Sequence, residues 1–123
     1  MTNFGTLMIF DCSGCNAFIN DKAYLDEFVN SIVKEMGMKK IGNPAVEWFP
    51  DNDFNRQYDL VGFSYLQIIS LSSISIHCCT LSGRIYIDVF TCCKTNEQLV
   101  ERISFIIQKL FSPLIINKKQ IDR

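Results

Sequence analysis

His77 is the only histidine of the chain, and the stretch that holds it, Leu71–Cys93 (LSSISIHCCTLSGRIYIDVFTCC), also carries four of the six cysteines. Ser72 stands five positions before the histidine, Cys92 fifteen after it, and Ser64 eight before Ser72. These are the residue types of acyl and proton-transfer chemistry. A hydroxyl can attack a carbonyl, an imidazole exchanges protons near neutral pH, and a thiol with its ordinary pKa of about 8.5 keeps a proton to give. Each also has a plainer reading. Alternating serines are usual on a solvent-facing strand, a lone strand histidine is often structural, and free cysteine is often a small core residue, which is the reading for Cys93.

The elements that must position these groups are two strands. Ser73, Ser75 and His77 alternate with Ile74 and Ile76, and Tyr86, Asp88 and Phe90 alternate with Ile85, Ile87 and Val89, the period of half-buried strand. A turn centred on Ser82-Gly83 sets His77 opposite Asp88; one spanning Thr80–Gly83 sets it opposite Tyr86. In either register Cys92 lies beside Ser72. Ser73, Ser75, His77, Asp88, Phe90 and Cys92 then share one face, so a hydroxyl, an imidazole and a thiol are expected to converge.

The length of 123 residues predicts one domain. Twelve basic and thirteen acidic residues, net charge −1, with no run of either sign, leave no electrostatic footprint for nucleic acid. The start, MTNFGTLMIFDCSG, has no basic n-region, and serines, Gln67 and Gly62 interrupt the apolar run from Leu60 to Ile76. No leader and no membrane span are expected, and the predicted location is the cytoplasm. Adjacent pairs such as Cys78-Cys79 read as free thiols rather than a disulfide framework. A zinc site is disfavoured by the single CxxC, Cys12 to Cys15, and no metal is expected. That motif also lacks the helix start that activates a redox thiol.

In chain order, Gly5–Asp11 predicts a strand and DCSGCN a turn. Asp21 caps a helix whose stripe is Leu25, Phe28, Val29, Ile32, Val33 and Met36, stopped by Gly37. Ala45–Phe49 predicts a strand, 51–59 a loop, and Leu60–Leu71 a buried strand in which Gly62 marks a bulge or a close backbone approach. Thr95 and Gln98 form a capping box for a second helix with an apolar face of Val100, Ile103, Ile107, Leu110 and Phe111, ended by Pro113. The tail 112–123 shows no periodicity and is expected to fray. The predicted architecture is α+β, a two-layer sandwich of a mainly antiparallel sheet with two helices on one face, and a homodimer stacked sheet to sheet would cover the other. Trp48, Phe49 and Tyr58 read as core or dimer-interface aromatics.

From Gly62 onward the sequence resembles the short prokaryotic S-adenosylmethionine decarboxylases, pyruvoyl enzymes that make their cofactor from an internal serine. The resemblance rests on the G-x-S at Gly62–Ser64, the spacing of Ser64, Ser72, His77 and Cys92, on Ser75-Ile76-His77 and Ile87–Cys92 (IDVFTC), and on the opening that ends DCSGC. It implies that Ser72 Oγ attacks the Leu71 carbonyl, that cleavage between 71 and 72 leaves a pyruvoyl group, and that this group forms a Schiff base with a small-molecule substrate and acts as electron sink. It implies Cys92 as proton donor, Ser64 and His77 as aids to self-processing, and Tyr58 as the ring near adenine. Three positions depart from the family. Leu71 replaces a glutamate, Ser73 a histidine, and Leu81 the glutamate that binds ribose. Those departures leave open the same chemistry on another amino acid, such as ornithine or arginine, or a non-catalytic regulatory paralogue.

Overall fold

Period-two strands and period-3.6 helices meet in one core. The computed structural model describes residues 5–93 and 97–123. Six strands, β1 (Thr6–Ser13), β2 (Lys40–Phe49), β3 (Gly62–Ile69), β4 (Ser72–Cys79), β5 (Arg84–Thr91) and β6 (Ile115–Asp122), form a sheet ordered β2-β3-β4-β5-β1-β6. Every pairing is antiparallel. Helices α1 (Lys22–Met36) and α3 (Glu97–Phe111) cover one face, giving the expected α+β sandwich, and a short α2 (Asp53–Gln57) lies between β2 and β3.

Helix α1 begins where Asp21 accepts the Ala23 N–H at 2.9 Å and stops at Gly37, whose φ of 65° is the left-handed cap. Its stripe of Leu25, Phe28, Val29, Ile32 and Val33 is buried against the sheet and α3. Each such side chain contributes about 1.5–3 kcal/mol. Phe28 meets Phe111 edge to face, ring centres 5.3 Å apart. Truncating Phe28 to alanine would therefore open the contact between the two helices, at a cost of about 3–5 kcal/mol. Of the capping box read at the start of α3, Thr95 lies outside the described residues.

Several expectations are corrected. Strand β2 starts at Lys40, five residues early, and shifts register between Ile41 and Ala45. The bulge passes Gly42, at φ 70°, and the buried Gln67 amide donates to the carbonyls of Ile41 and Gly42 at 3.4 and 3.2 Å, holding it. The loop 51–59 contains α2, capped by the Asn52 side chain. The long strand expected over Leu60–Leu71 ends at Ile69, because Ser70 and Leu71 form a two-residue turn with Ser70 at φ 49°. The tail does not fray. It forms β6 along β1, and Gly5 and Arg123 exchange backbone hydrogen bonds of 3.0 and 2.8 Å. Its missing apolar period has a simple cause, since Lys118 answers Glu101 on α3 rather than entering the core.

Candidate active site

The β4–β5 register is the one with the turn at Thr80–Gly83. His77 pairs with Tyr86 and Ser73 with Phe90, so the arrangement with His77 facing Asp88 does not occur. The hydroxyl of Thr80, just past the end of β4, accounts for the choice. Thr80 is tied by its N–H and its Oγ1 to the Val61 carbonyl, which removes it from the ladder and lengthens the turn.

Ser72 opens β4 on the helix-facing side and is 5% exposed. The peptide before it is open to solvent, for Leu71 in the turn is 80% exposed. Ser72 Oγ accepts the Cys92 backbone N–H at 3.1 Å, so the adjacency of Ser72 and Cys92 expected from strand pairing is present. A buried hydroxyl with one donor already bound keeps its own proton and lone pair for a neighbouring group.

Ser64 and His77 form a second pair. They are opposite each other in β3 and β4, with Ser64 Oγ 2.8 Å from His77 Nδ1, and Ser75 Oγ lies 3.4 Å from the other ring nitrogen. Gly62 makes that register possible. A Cβ there would lie 1.7 Å from the Cys78 carbonyl oxygen, so the glycine of the G-x-S pattern marks a close backbone approach. Five residues along a strand span about 16 Å, and an odd separation reverses the face. Within one chain, therefore, Ser64 and His77 do not converge with Ser72 and Cys92; the four residues fall into two pairs at opposite ends of β4.

Two features escaped the sequence. A hollow of about 200 Å³ adjoins the Ser64–His77 pair, walled by Phe49, Leu60 and Phe63. Asp59, at φ 54°, stands at its rim, paired with the Arg84 guanidinium and accepting Ser82 Oγ at 3.1 Å. This puts a carboxylate on Ser82, the residue after Leu81, and only tertiary contact reveals it. Tyr58, in contrast, is 57% exposed and meets Phe54 with its ring tilted, outside the hollow, while Trp48 and Phe49 are also exposed and so do not belong to the core. Cys93 is exposed, not a core residue, because the chain bends after Thr91.

The remaining cysteines are free and withdrawn. Burial pushes the Cys12 and Cys78 thiols up to about 12 and that of Cys15 to about 11, and raises Cys79 as well. Such thiols are poor nucleophiles, as the CxxC reading anticipated.

A search of curated protein sequences finds no match. Among solved structures, the crystal structure of the adenosylmethionine decarboxylase from Aquifex aeolicus superposes with a TM-score of 0.77 at 22% identity, covering 100% of this chain and 92% of that one. The shared fold is thus the whole sandwich, β6 included. The sequence model of the S-adenosylmethionine decarboxylase family matches residues 6–123, and the chain belongs to that family.

Proposed function

We propose that the chain is a self-processing, pyruvoyl-dependent decarboxylase of S-adenosylmethionine that supplies aminopropyl groups for polyamine (spermidine) synthesis in the cytoplasm, as a single 1–123 domain. The observation that carries this is the Leu71–Ser72 peptide in an exposed two-residue turn, with Ser72 hydrogen-bonded to Cys92. A pyruvoyl group at residue 72 suits this position, since it needs a serine whose preceding carbonyl can be reached and whose chain can part there. When formed, it supplies an electron sink for the departure of carbon dioxide.

Ser72 Oγ attacks the Leu71 carbonyl and the amide nitrogen leaves, converting the peptide to an ester. Elimination then breaks the Cβ–Oγ bond and releases the Leu71 carboxylate, with gain of water and loss of ammonia at residue 72. Cys92 Sγ holds the proton returned to carbon after decarboxylation.

One feature supports a homodimer: the uncovered sheet face carries Leu66 and Ile68, both exposed, opposite Ser75 and Ser73. Stacking those faces about a two-fold axis would cover both apolar side chains. Intact mass tests the processing: two fragments split between Leu71 and Ser72 are expected, and a persistent full-length chain overturns the proposal. The mass of the particle in solution tests the dimer, and a monomer overturns it.

A second reading has its own support. Leu81 is apolar and exposed, and the nearby Asp59 carboxylate is already bound to Arg84, so no free acid awaits a ribose at that turn. Decarboxylation of an amino acid without a ribose, such as ornithine or arginine, needs no acid for ribose there, and carbon dioxide release from a substrate panel separates the two.

A further inference from the structure

Alternation along a strand sends adjacent side chains to opposite faces, which would hold Cys92 and Cys93 apart. The strand ends first. Strand β5 stops at Thr91, and the Cys93 N–H turns back to donate to Thr91 Oγ1 at 3.2 Å. The bend brings Cys92 Sγ and Cys93 Sγ to 3.9 Å, with Cys93 exposed and Cys92 half-buried. We propose that Cys92 and Cys93 are a vicinal dithiol which low-molecular-weight disulfides close to a Cys92–Cys93 disulfide, a reversible modification that withdraws the Cys92 thiol from proton return. The regulatory part rests on the role proposed above for Cys92; the dithiol itself does not.

The chemistry balances without a metal or a further cofactor. One cysteine thiolate attacks a sulfur of the small disulfide, forming a mixed disulfide and releasing one small thiol. The second cysteine, after losing its proton, attacks the protein sulfur and expels the second small thiol. Two electrons and two protons pass from protein to reagent. Contact with Cys92 pushes the Cys93 thiol up, as expected where two sulfurs share a proton. Of the six cysteines Cys93 alone is exposed, so a small disulfide reaches this pair ahead of the other four, which are buried or half-buried.

Geometry also fixes the character of the bond. Adjacent Cα atoms lie about 3.8 Å apart, below the roughly 4.4 Å lower limit of ordinary disulfides. The ring is therefore strained, forms only against an oxidising thiol–disulfide ratio and reopens readily, the behaviour of labile disulfides.

The test uses the whole protein and its Cys93→Ser variant in graded mixtures of reduced and oxidised glutathione, trapped by alkylation. The parent should lose two hydrogens at Cys92–Cys93, reversibly with dithiothreitol, while Cys93→Ser stops at a glutathione adduct on Cys92. An aryl arsenoxide should bind the parent once per chain, resist a monothiol competitor, and lose this resistance in Cys93→Ser. Carbon dioxide release should vanish with disulfide formation and return on reduction, with basal activity kept in Cys93→Ser. A disulfide mapped to another pair, or a parent that stops at a stable adduct at every ratio, overturns the proposal. Masses and arsenical binding are read whether or not the reduced protein decarboxylates anything, so a lack of activity would sink only the functional reading.

Discussion

Gly62→Ala asks why the chain has a glycine where β3 begins. A methyl group there would meet the Cys78 carbonyl oxygen at 1.7 Å and its carbon at 2.8 Å, where ordinary contact begins at 3.4 Å. Both atoms are backbone, so no side chain can swing away; β3 must part from β4 by more than an ångström. The φ of 152° adds a conformation that residues with a Cβ avoid, worth about 1–3 kcal/mol. Each ladder hydrogen bond lost in the parting costs about 1 kcal/mol more. The sum, about 3–5 kcal/mol, is a large share of the ~5–15 kcal/mol that holds a typical domain folded. With a urea slope of about 1–3 kcal/mol per molar, the midpoint should fall by roughly 2 M. The single tryptophan reports it well, since Trp48 packs on Phe63, the residue after Gly62, at a ring separation of 4.3 Å. The Ser64–His77 contact lies two pairs further along the same ladder and should open too, so any cleavage at residue 72 should slow. A variant with a midpoint within roughly 0.3 M of the parent would refute the close-approach argument.

The packing has other consequences. Tyr65, buried, donates to Asp26 at 2.5 Å; burial and that bond raise the phenol, while the bonds from Tyr65 and Lys22 outweigh burial and lower Asp26. A raised phenol stabilises the fold fully below the unfolded value of about 10 and loses this as pH rises beyond it, whereas the lowered Asp26 contributes above about 4 and is lost on acidification. Tyr65→Phe should cost about 1 kcal/mol at neutral pH, discounted for the partial exposure of Asp26, and should flatten the alkaline limb of a melting-temperature profile; an unchanged limb would contradict the assignment. Ending the chain after Pro113 removes β6 and leaves β1 an unpaired edge, so the truncated protein should aggregate or melt markedly lower, and equal thermal stability would show β6 to be dispensable.

The sequence carried what is periodic. The α1 stripe and its caps, the two faces of β4 and β5, and the adjacency of Ser72 to Cys92 were all readable, because each depends on spacing and on local turn chemistry. What depends on partners far along the chain was not. β6 has no apolar rhythm because it is an edge strand whose helix-side Lys118 pairs with Glu101. The hairpin register was decided by Val61 holding Thr80, a contact across nineteen residues, and not by the turn sequence. The expected convergence on the face of Ser73, Ser75, His77, Asp88, Phe90 and Cys92 took a shared face for a shared place: alternation gives the face, but only the ladder gives the distance. Cys93 was misread for the opposite reason, since the alternation that would have buried it ends two residues earlier, at Thr91.

The strand order has a last consequence. The segment before Ser72 provides β1, β2 and β3, and the segment from Ser72 onward provides β4, β5 and β6; yet β1 lies between β5 and β6. The two segments are interleaved like fingers, and neither can keep its strands together without the other. A break at the Ser70–Leu71 turn would cut no ladder and free no piece. With Gly5 and Arg123 already hydrogen-bonded side by side, a chain permuted to begin at Ser72 and run through a short linker from 123 to 5 would describe the same sheet.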